Sequence, residues 1–441
     1  MHVQGPTAIS LPRPPAGAFA GRANDAAPRD EFVPGPRAVE EPPPAEGATR
    51  TFWTWDFSVM PPGAKAVTAT LRSLGDHAQI WVDDAAWGRT VQAADVEVLA
   101  NRFNRASNAG SVNPSQGIHQ IDTAYFGDLP HGIDPDPRVT ILLSEMASFQ
   151  GTTLDGYFNA FDQLPEVEAW EKYQQHSNER NIIYLNTAGS PVSGDYMQGV
   201  LAHEYAHLLT WGRDPEESSP WLTEMLGETA MAVNGFHTDF GHVARHQRRP
   251  SSPLESDTYV DYGAAYLFGT YLLERYGKPF IADLARDPAS GRDAVEATLA
   301  RTGTGHTFTS VLEDWVVANY ADSRNVVAPG RHYASLDIPP PSEAHVLTGE
   351  SPSAEGTLAP TGAAYIRLDL PAAARLQFSG EGDASVQVMH FHDARMDVQK
   401  VDPGQPFEVP GDAVLAVVAT GTGPLKYSVR GESPPGLLQK T

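Results

Sequence analysis

At Pro339-Pro340-Pro341 the sequence changes its hydrophobic period, and no one kind of secondary structure serves both sides of that change. Ahead of it, between Ser193 and Tyr320, apolar residues recur every three or four positions, the spacing of helices that bury one stripe. Beyond it they alternate, in Ala364 to Leu370, Arg375 to Phe378, Ser385 to Phe391, Ala413 to Val418 and Leu425 to Val429, with Gly and Pro between the runs. Short alternating runs at this interval predict a β-sandwich over residues 351–441, read as an accessory domain that can be cut away near Pro341.

The N-terminal part divides again. Residues 1–50 are dense in Pro, Ala, Gly and acids, including Pro42-Pro43-Pro44, and predict a disordered leader with little apolar surface to bury. Order is expected from Thr51, where Phe52, Trp53, Trp55 and Phe57 open a small β unit over residues 51–95 that continues through Ala66 to Leu71 and Ala78 to Val82. A helix is predicted over Val96 to Phe103, a buried strand over Val139 to Leu143, and a loop between the two. Asn181 to Leu185 reads as a second buried strand. A helix follows from near Ser193 to Gly212, with Asp195 in its first turn to suit the dipole. Further helices are expected at Trp221 to Val233, Tyr262 to Tyr276 closed by Gly277, Phe280 to Leu284, Arg292 to Ala300 and Phe308 to Tyr320. The fold class is therefore α+β, with a main domain over residues 51–338.

Charge and composition exclude several functions. The formal net charge of −24 repels phosphate backbones and anionic headgroups, so no nucleic-acid partner is expected. No apolar run reaches the about 18 residues of a membrane span. With no cysteine, thiolate metal sites and cysteine nucleophiles are absent, which leaves His and carboxylates as metal ligands. Met1 to Ser10 lacks the basic and apolar regions of a signal peptide.

Against that background His203-Glu204-Tyr205-Ala206-His207 stands out. In a helix, residues four apart share a face about 5–6 Å apart, so both imidazoles can meet one zinc ion. Glu204, one position round, can reach a water on the metal and act as general base without being a ligand. Chance supplies such a match in a chain of this composition with a probability of about 0.03, so the pattern calls for an explanation. A zinc site of this kind needs a third ligand, and Trp221-Leu222-Thr223-Glu224 offers a carboxylate inside the next helix. Glu228, one turn on, is placed to accept the free N–H of a ligating imidazole.

The HEYAH helix followed by Trp-Leu-x-Glu resembles the gluzincin zinc metallopeptidases. More narrowly the chain is similar to the hyicolysin-type neutral metallopeptidases, through Gly156-Tyr157-Phe158, Ser177-Asn178-Glu179-Arg180, Ile183-Tyr184-Leu185, Tyr262 to Phe268 and Trp315 to Asn319. The resemblance spans about Thr51 to Tyr320. It implies a zincin-like catalytic domain, a zinc cofactor, a protein or peptide substrate, endopeptidase activity and export from the cytoplasm. It also implies an oxyanion donor downstream, for which Tyr259, Tyr262 and Tyr266 are available and Tyr262, at a helix start, is preferred. Asn159 and Ala160, beside Phe161, resemble the cleft-edge strand whose backbone pairs with substrate. The rival readings are a gluzincin aminopeptidase, for which no Gly-x-Met-Glu-Asn motif is present, and a non-catalytic adhesion protein with a vestigial zinc site, against which the intact Glu204 argues. Elsewhere, His237, His242 and His246 read as a solvated loop and helix, His390 and His392 as a surface pair, and Asp134-Pro135-Asp136-Pro137 lacks the ligand spacing of a calcium loop.

Overall fold

Three short strands with no polar face fix the centre of the first sheet. β3 (Ala78–Asp83), β4 (Val139–Ser144) and β6 (Ile182–Asn186) are buried at every position, which only strands covered on both sides can sustain. They run parallel, β3 beside β4 and β4 beside β6. β1 (Thr49–Asp56) and β2 (Gly63–Leu74) extend the sheet antiparallel on one side, and β5 (Gly156–Phe158) closes it antiparallel on the other, in the order β1-β2-β3-β4-β6-β5. These details come from a computed structural model that describes residues 44–59, 63–130, 132–147, 154–213, 219–236, 240–256, 260–322, 326, 328–349, 352–393 and 395–431.

Several sequence expectations change here. The leader expected over residues 1–50 lies outside the described residues as far as residue 43, and by Thr49 the chain is already in β1. Within the main domain the predicted small β unit is continuous with the central sheet, because β3 pairs with β4 and so joins β1 and β2 to it. The segment expected to be a loop before Val139 holds a helix, α2 (Ile118–Phe126), after α1 (Ala93–Asn104). Ile118, Ile121 and Tyr125 give α2 its apolar stripe, and Gly117 starts it where the backbones of Phe103 to Arg105 leave no room for a side chain.

The remaining helices among the described residues are α3 (Glu166–Tyr173), α4 (Asp195–Trp211), α5 (Pro220–Val233), α6 (Phe240–Arg248), α7 (Tyr262–Ala285), α8 (Gly291–Arg301) and α9 (Phe308–Ala321). At Gly277 the backbone of α7 turns to φ +77°, so the predicted stop there is a real break inside a longer helical run. The C-terminal strands are β7 (Glu343–Thr348), β8 (Ser353–Leu358), β9 (Ala363–Asp369), β10 (Ala374–Glu381), β11 (Ala384–His392), β12 (Arg395–Val401), β13 (Phe407–Val409), β14 (Val414–Ala419) and β15 (Leu425–Gly431). They form a four-stranded sheet, β13-β10-β15-β8, and a five-stranded one, β12-β11-β14-β9-β7, whose apolar faces share a single core. The whole is mixed α and β with several sheets, in keeping with the α+β expectation.

The described residues group into two compact units, one of those up to 213 with 226–236 and 281–290, the other of 219–225, 240–280 and 291–431. The second unit therefore joins the C-terminal strands to helices from the middle of the chain, where the sequence suggested a detachable accessory domain. The outer face of the five-stranded sheet is not a solvent face. Tyr365 Oη donates to Val316 O at 2.7 Å, Gln387 Nε2 to Glu313 O at 3.0 Å, and Tyr320 of α9 packs against Tyr365 and Phe391 at ring distances of 5.1 and 5.8 Å. Cutting at residue 341 uncovers that face of α9. Exposing two or three large side chains at about 2 kcal/mol each removes on the order of 5 kcal/mol, comparable with the whole stability of many domains. The truncated chain is expected to be insoluble or to melt far below the full chain in a thermal scan, and an equally stable fragment would restore the detachable domain.

Candidate metal centre

The zinc-type motif sits on α4, which leaves β6 across a short turn. Asn186 fixes that turn, its Oδ1 accepting from Met146 N and Ala188 N and its Nδ2 donating to Leu154 O. Asp195 occupies the first turn of α4, where the helix dipole favours an acid. Fourteen of the helix's residues are buried, so α4 is central rather than a surface helix with two solvated histidines.

Glycines let other backbones reach it. A Cβ at Gly199 would lie 2.7 Å from Met231 Cε and 3.0 Å from Phe236 Cβ, so α5 and the turn after it close on α4 there. A Cβ at Gly156 would lie 2.8 Å from Val200 Cγ1 and 3.2 Å from Glu204 Cγ, which brings β5 against the general-base candidate. Most telling is Gly227 of α5, where a Cβ would stand 2.7 Å from Cε1 and Nε2 of His203 and 2.8 Å from its Nδ1. The His203 ring occupies the space that a side chain at 227 would need. Composition and spacing gave no hint of this, because a lone glycine in a helix carries no chemistry of its own.

His203, His207 and Glu224 each present a donor atom, and these atoms all lie within 4.8 Å of one another. The two imidazoles stand edge to face with centroids 4.6 Å apart. Tetrahedral zinc with bonds of about 2.0–2.1 Å needs donors about 3.4 Å apart, a contraction that side-chain rotation supplies. Two neutral nitrogens and one carboxylate form a donor set that suits a divalent transition metal with one position left open. A group that could hold a metal ion is thus present at the residues that the motif and the next helix singled out.

Around the ligands the arrangement is specific. Glu204 is 8% exposed and beside Gly156. Glu228, 3% exposed, brings Oε1 to 3.6 Å from His203 Nδ1, one small adjustment from a hydrogen bond that would leave Nε2 for a metal. Tyr205, in the middle of the motif, points the other way and hydrogen-bonds His119 Nδ1 of α2 at 2.7 Å. Burial and the stacked ring of His77, 3.9 Å away, push His119 down to about 4, so the imidazole is neutral at physiological pH. Behind the same helix Asp122 is fully buried against Asn234 Nδ2, and burial raises its carboxyl well above the usual range. These contacts hold the back of α4.

The other predicted residues fall as follows. β5 is an edge strand, as a substrate-pairing strand must be, but it ends at Phe158. Asn159 caps the 3₁₀ turn Ala160–Gln163 instead, its Oδ1 accepting from Phe161 N at 3.2 Å, so the free edge is Gly156 to Phe158 rather than Asn159 and Ala160. Tyr262 begins α7, is 37% exposed and has its ring 5.5 Å from that of His242. Tyr266 is a core residue at 2% exposure, and Tyr259 lies outside the described residues. Of the suspected second His cluster, His237 lies outside them as well. His246 is buried, stacked on Trp315 and bonded to Asp261 Oδ2 at 3.1 Å, while Oδ1 of Asp261 caps α7 at Gly263 N and Ala264 N. Burial raises the Asp261 carboxyl, but His246 and these donors outweigh it and hold it below the ordinary value. Asp136 is taken by Arg138 and Gln79, which accounts for it without calcium.

The stretches that carried the resemblance have architectural roles here. Asn178 bridges β1 and β6, exchanging hydrogen bonds with the Trp53 main chain and donating to Tyr184 Oη. Tyr157 stacks on Tyr184 at 4.2 Å and shares a hydrogen bond with Thr54.

No family model matches the chain, and no curated protein matches it. Solved structures match it only in part. The cysteine peptidase Peruvianin-I from Thevetia peruviana latex aligns at 22% identity over 20% of this chain and 53% of its own, with a TM-score of 0.16. An oxalate oxidase in complex with glycolate aligns at 18% identity over 20% and 44%, also at 0.16, and a cupin domain from Bordetella pertussis at 10% over 19% and 81%, at 0.14. The chain spans about half the length of Peruvianin-I. Likenesses confined to a fifth of the chain at these scores carry nothing about its fold or activity.

Proposed function

We propose that the chain is a zinc-dependent endopeptidase of the gluzincin type, with a zincin-like arrangement of β1–β6 and the helices that cover them. The observation that carries this reading is the convergence of His203, His207 and Glu224 beside a buried Glu204 that is no member of the donor group. A structural metal site has no need of such a carboxylate. His203, His207 and Glu224 hold the ion, with the His203 ring set by Gly227 on one side and Glu228 on the other. Zinc at that position supplies a Lewis acid that polarises a carbonyl and lowers the pKa of water toward about 7. Glu204 takes the proton of the attacking water and delivers it to the leaving amine. Tyr262 donates its phenolic hydrogen to the developing oxyanion. The free edge of β5, at Gly156 to Phe158, pairs with an extended substrate main chain and orients the scissile bond.

Glu204→Gln separates this reading from a vestigial site. The amide keeps the shape but cannot accept a proton, so metal content stays at the wild-type level while casein hydrolysis falls to background, a loss of at least about 100-fold. Full activity in that variant would remove Glu204 from the chemistry.

A further inference from the structure

Along β11, Val386 and Val388 enter the core between the two C-terminal sheets, while Gln387 and Phe391 face α9. Alternation carries His390 and His392 onto the same face as the two valines, at the strand end where that core stops. Their side chains are 27% and 51% exposed, and their rings stand edge to face with centroids 4.0 Å apart. Each has its own acid. Asp412, just ahead of β14, brings Oδ1 to 3.3 Å from His390 Nε2, and Asp397 of β12 brings Oδ2 to 3.2 Å from His392 Nε2.

We propose that His390 and His392, with Asp397 and Asp412, form a second site for a divalent transition-metal ion, built from residues unrelated to His203, His207 and Glu224. Two exposed ion pairs would contribute little and would not require the imidazoles to abut. Two imidazoles on one face of a strand, one half-buried and one exposed, can turn Nε2 toward one ion by side-chain rotation, and the carboxylates that face those nitrogens can follow to neutralise or ligate it. Imidazole nitrogen with carboxylate oxygen selects zinc, copper or nickel over magnesium and calcium. The chain's net charge of −24 raises the local concentration of any cation. Arg395, opposite His392 in the β11–β12 register, is the feature that opposes binding.

The test uses the full chain and Zn²⁺ alone. The wild type is expected to bind two equivalents, His390→Ala/His392→Ala one, and Glu224→Ala one. The last of these keeps this proposal distinguishable from failure of the peptidase reading. Outer-sphere partners already shift metal affinity about 10–100-fold, so removing either histidine alone should weaken the second equivalent at least about 10-fold, and Arg395→Ala should tighten it. Melting temperatures of the His390, His392 and Arg395 variants in zinc-free buffer should stay close to that of the wild type, because none of these side chains is buried in the core. A second equivalent retained by the double histidine variant, or a Glu224→Ala protein that binds no zinc, would overturn the proposal.

Discussion

Glu224→Ala is expected to lose the metal held at His203 and His207, and hydrolysis with it, while remaining folded. Glu224 is half-buried and on α5, so truncating it creates no large cavity. What it removes is one of three donors. Structural zinc sites with four ligands contribute about 10–16 kcal/mol, so one ligand accounts for about 3 kcal/mol, or on the order of 100-fold in affinity. Two imidazoles on one helix are then a weak chelate that dialysis empties. Metal analysis after dialysis, beside far-UV circular dichroism, checks this. Tight stoichiometric zinc in Glu224→Ala with His390 and His392 also replaced by Ala would move the third ligand elsewhere, and Glu228, at 3.6 Å from His203, is the carboxylate that would have to take its place.

Gly227→Ala is the second large effect, and its sign distinguishes the site from ordinary helix energetics. In a helix interior Ala is favoured over Gly by about 1 kcal/mol, so propensity alone predicts a more stable protein. The position is not free, however. A methyl group 2.7 Å from two atoms of the His203 ring must displace it, and overpacking of this kind costs about 1–3 kcal/mol. Because His203 is also a proposed ligand, the displacement should appear first in zinc affinity, with a fall of about 100-fold, and then in activity. Equilibrium zinc competition measures it. Wild-type affinity in Gly227→Ala would show that the ring can lie elsewhere and still bind.

The ligand pair was legible in the sequence because both histidines belong to one helix, where spacing in the chain is spacing in space. Glu224 needed only the adjacent helix. Gly227, Gly199 and Gly156 were not legible, since what each must avoid comes from another element and a glycine shows no preference until that neighbour is known. The strands at Val139 and Ile182 read clearly because burial on both faces leaves uninterrupted apolar runs, whereas β7 and β8 bury only Leu347, Ala354 and Leu358 and left too weak an alternation to detect. α2 was missed for a related reason. Its polar Asp122 is buried and its His119 half-buried behind α4, so its stripe reads as mixed. The accessory-domain reading came from the change to alternating runs past Pro339-Pro340-Pro341, which locates strands but not what they pack against, and the contacts between α9 and the five-stranded sheet are invisible to composition.

The most direct test of the central claim is one measurement on the wild-type chain: zinc content followed through chelation and zinc re-addition, with casein hydrolysis recorded on the same samples. The account predicts zinc at the His203, His207 and Glu224 site in the active protein, loss of cleavage in step with loss of that zinc, and recovery of both on re-addition. Zinc bound there with no cleavage of casein or of short peptides would contradict it and leave a metal-binding protein without peptidase activity.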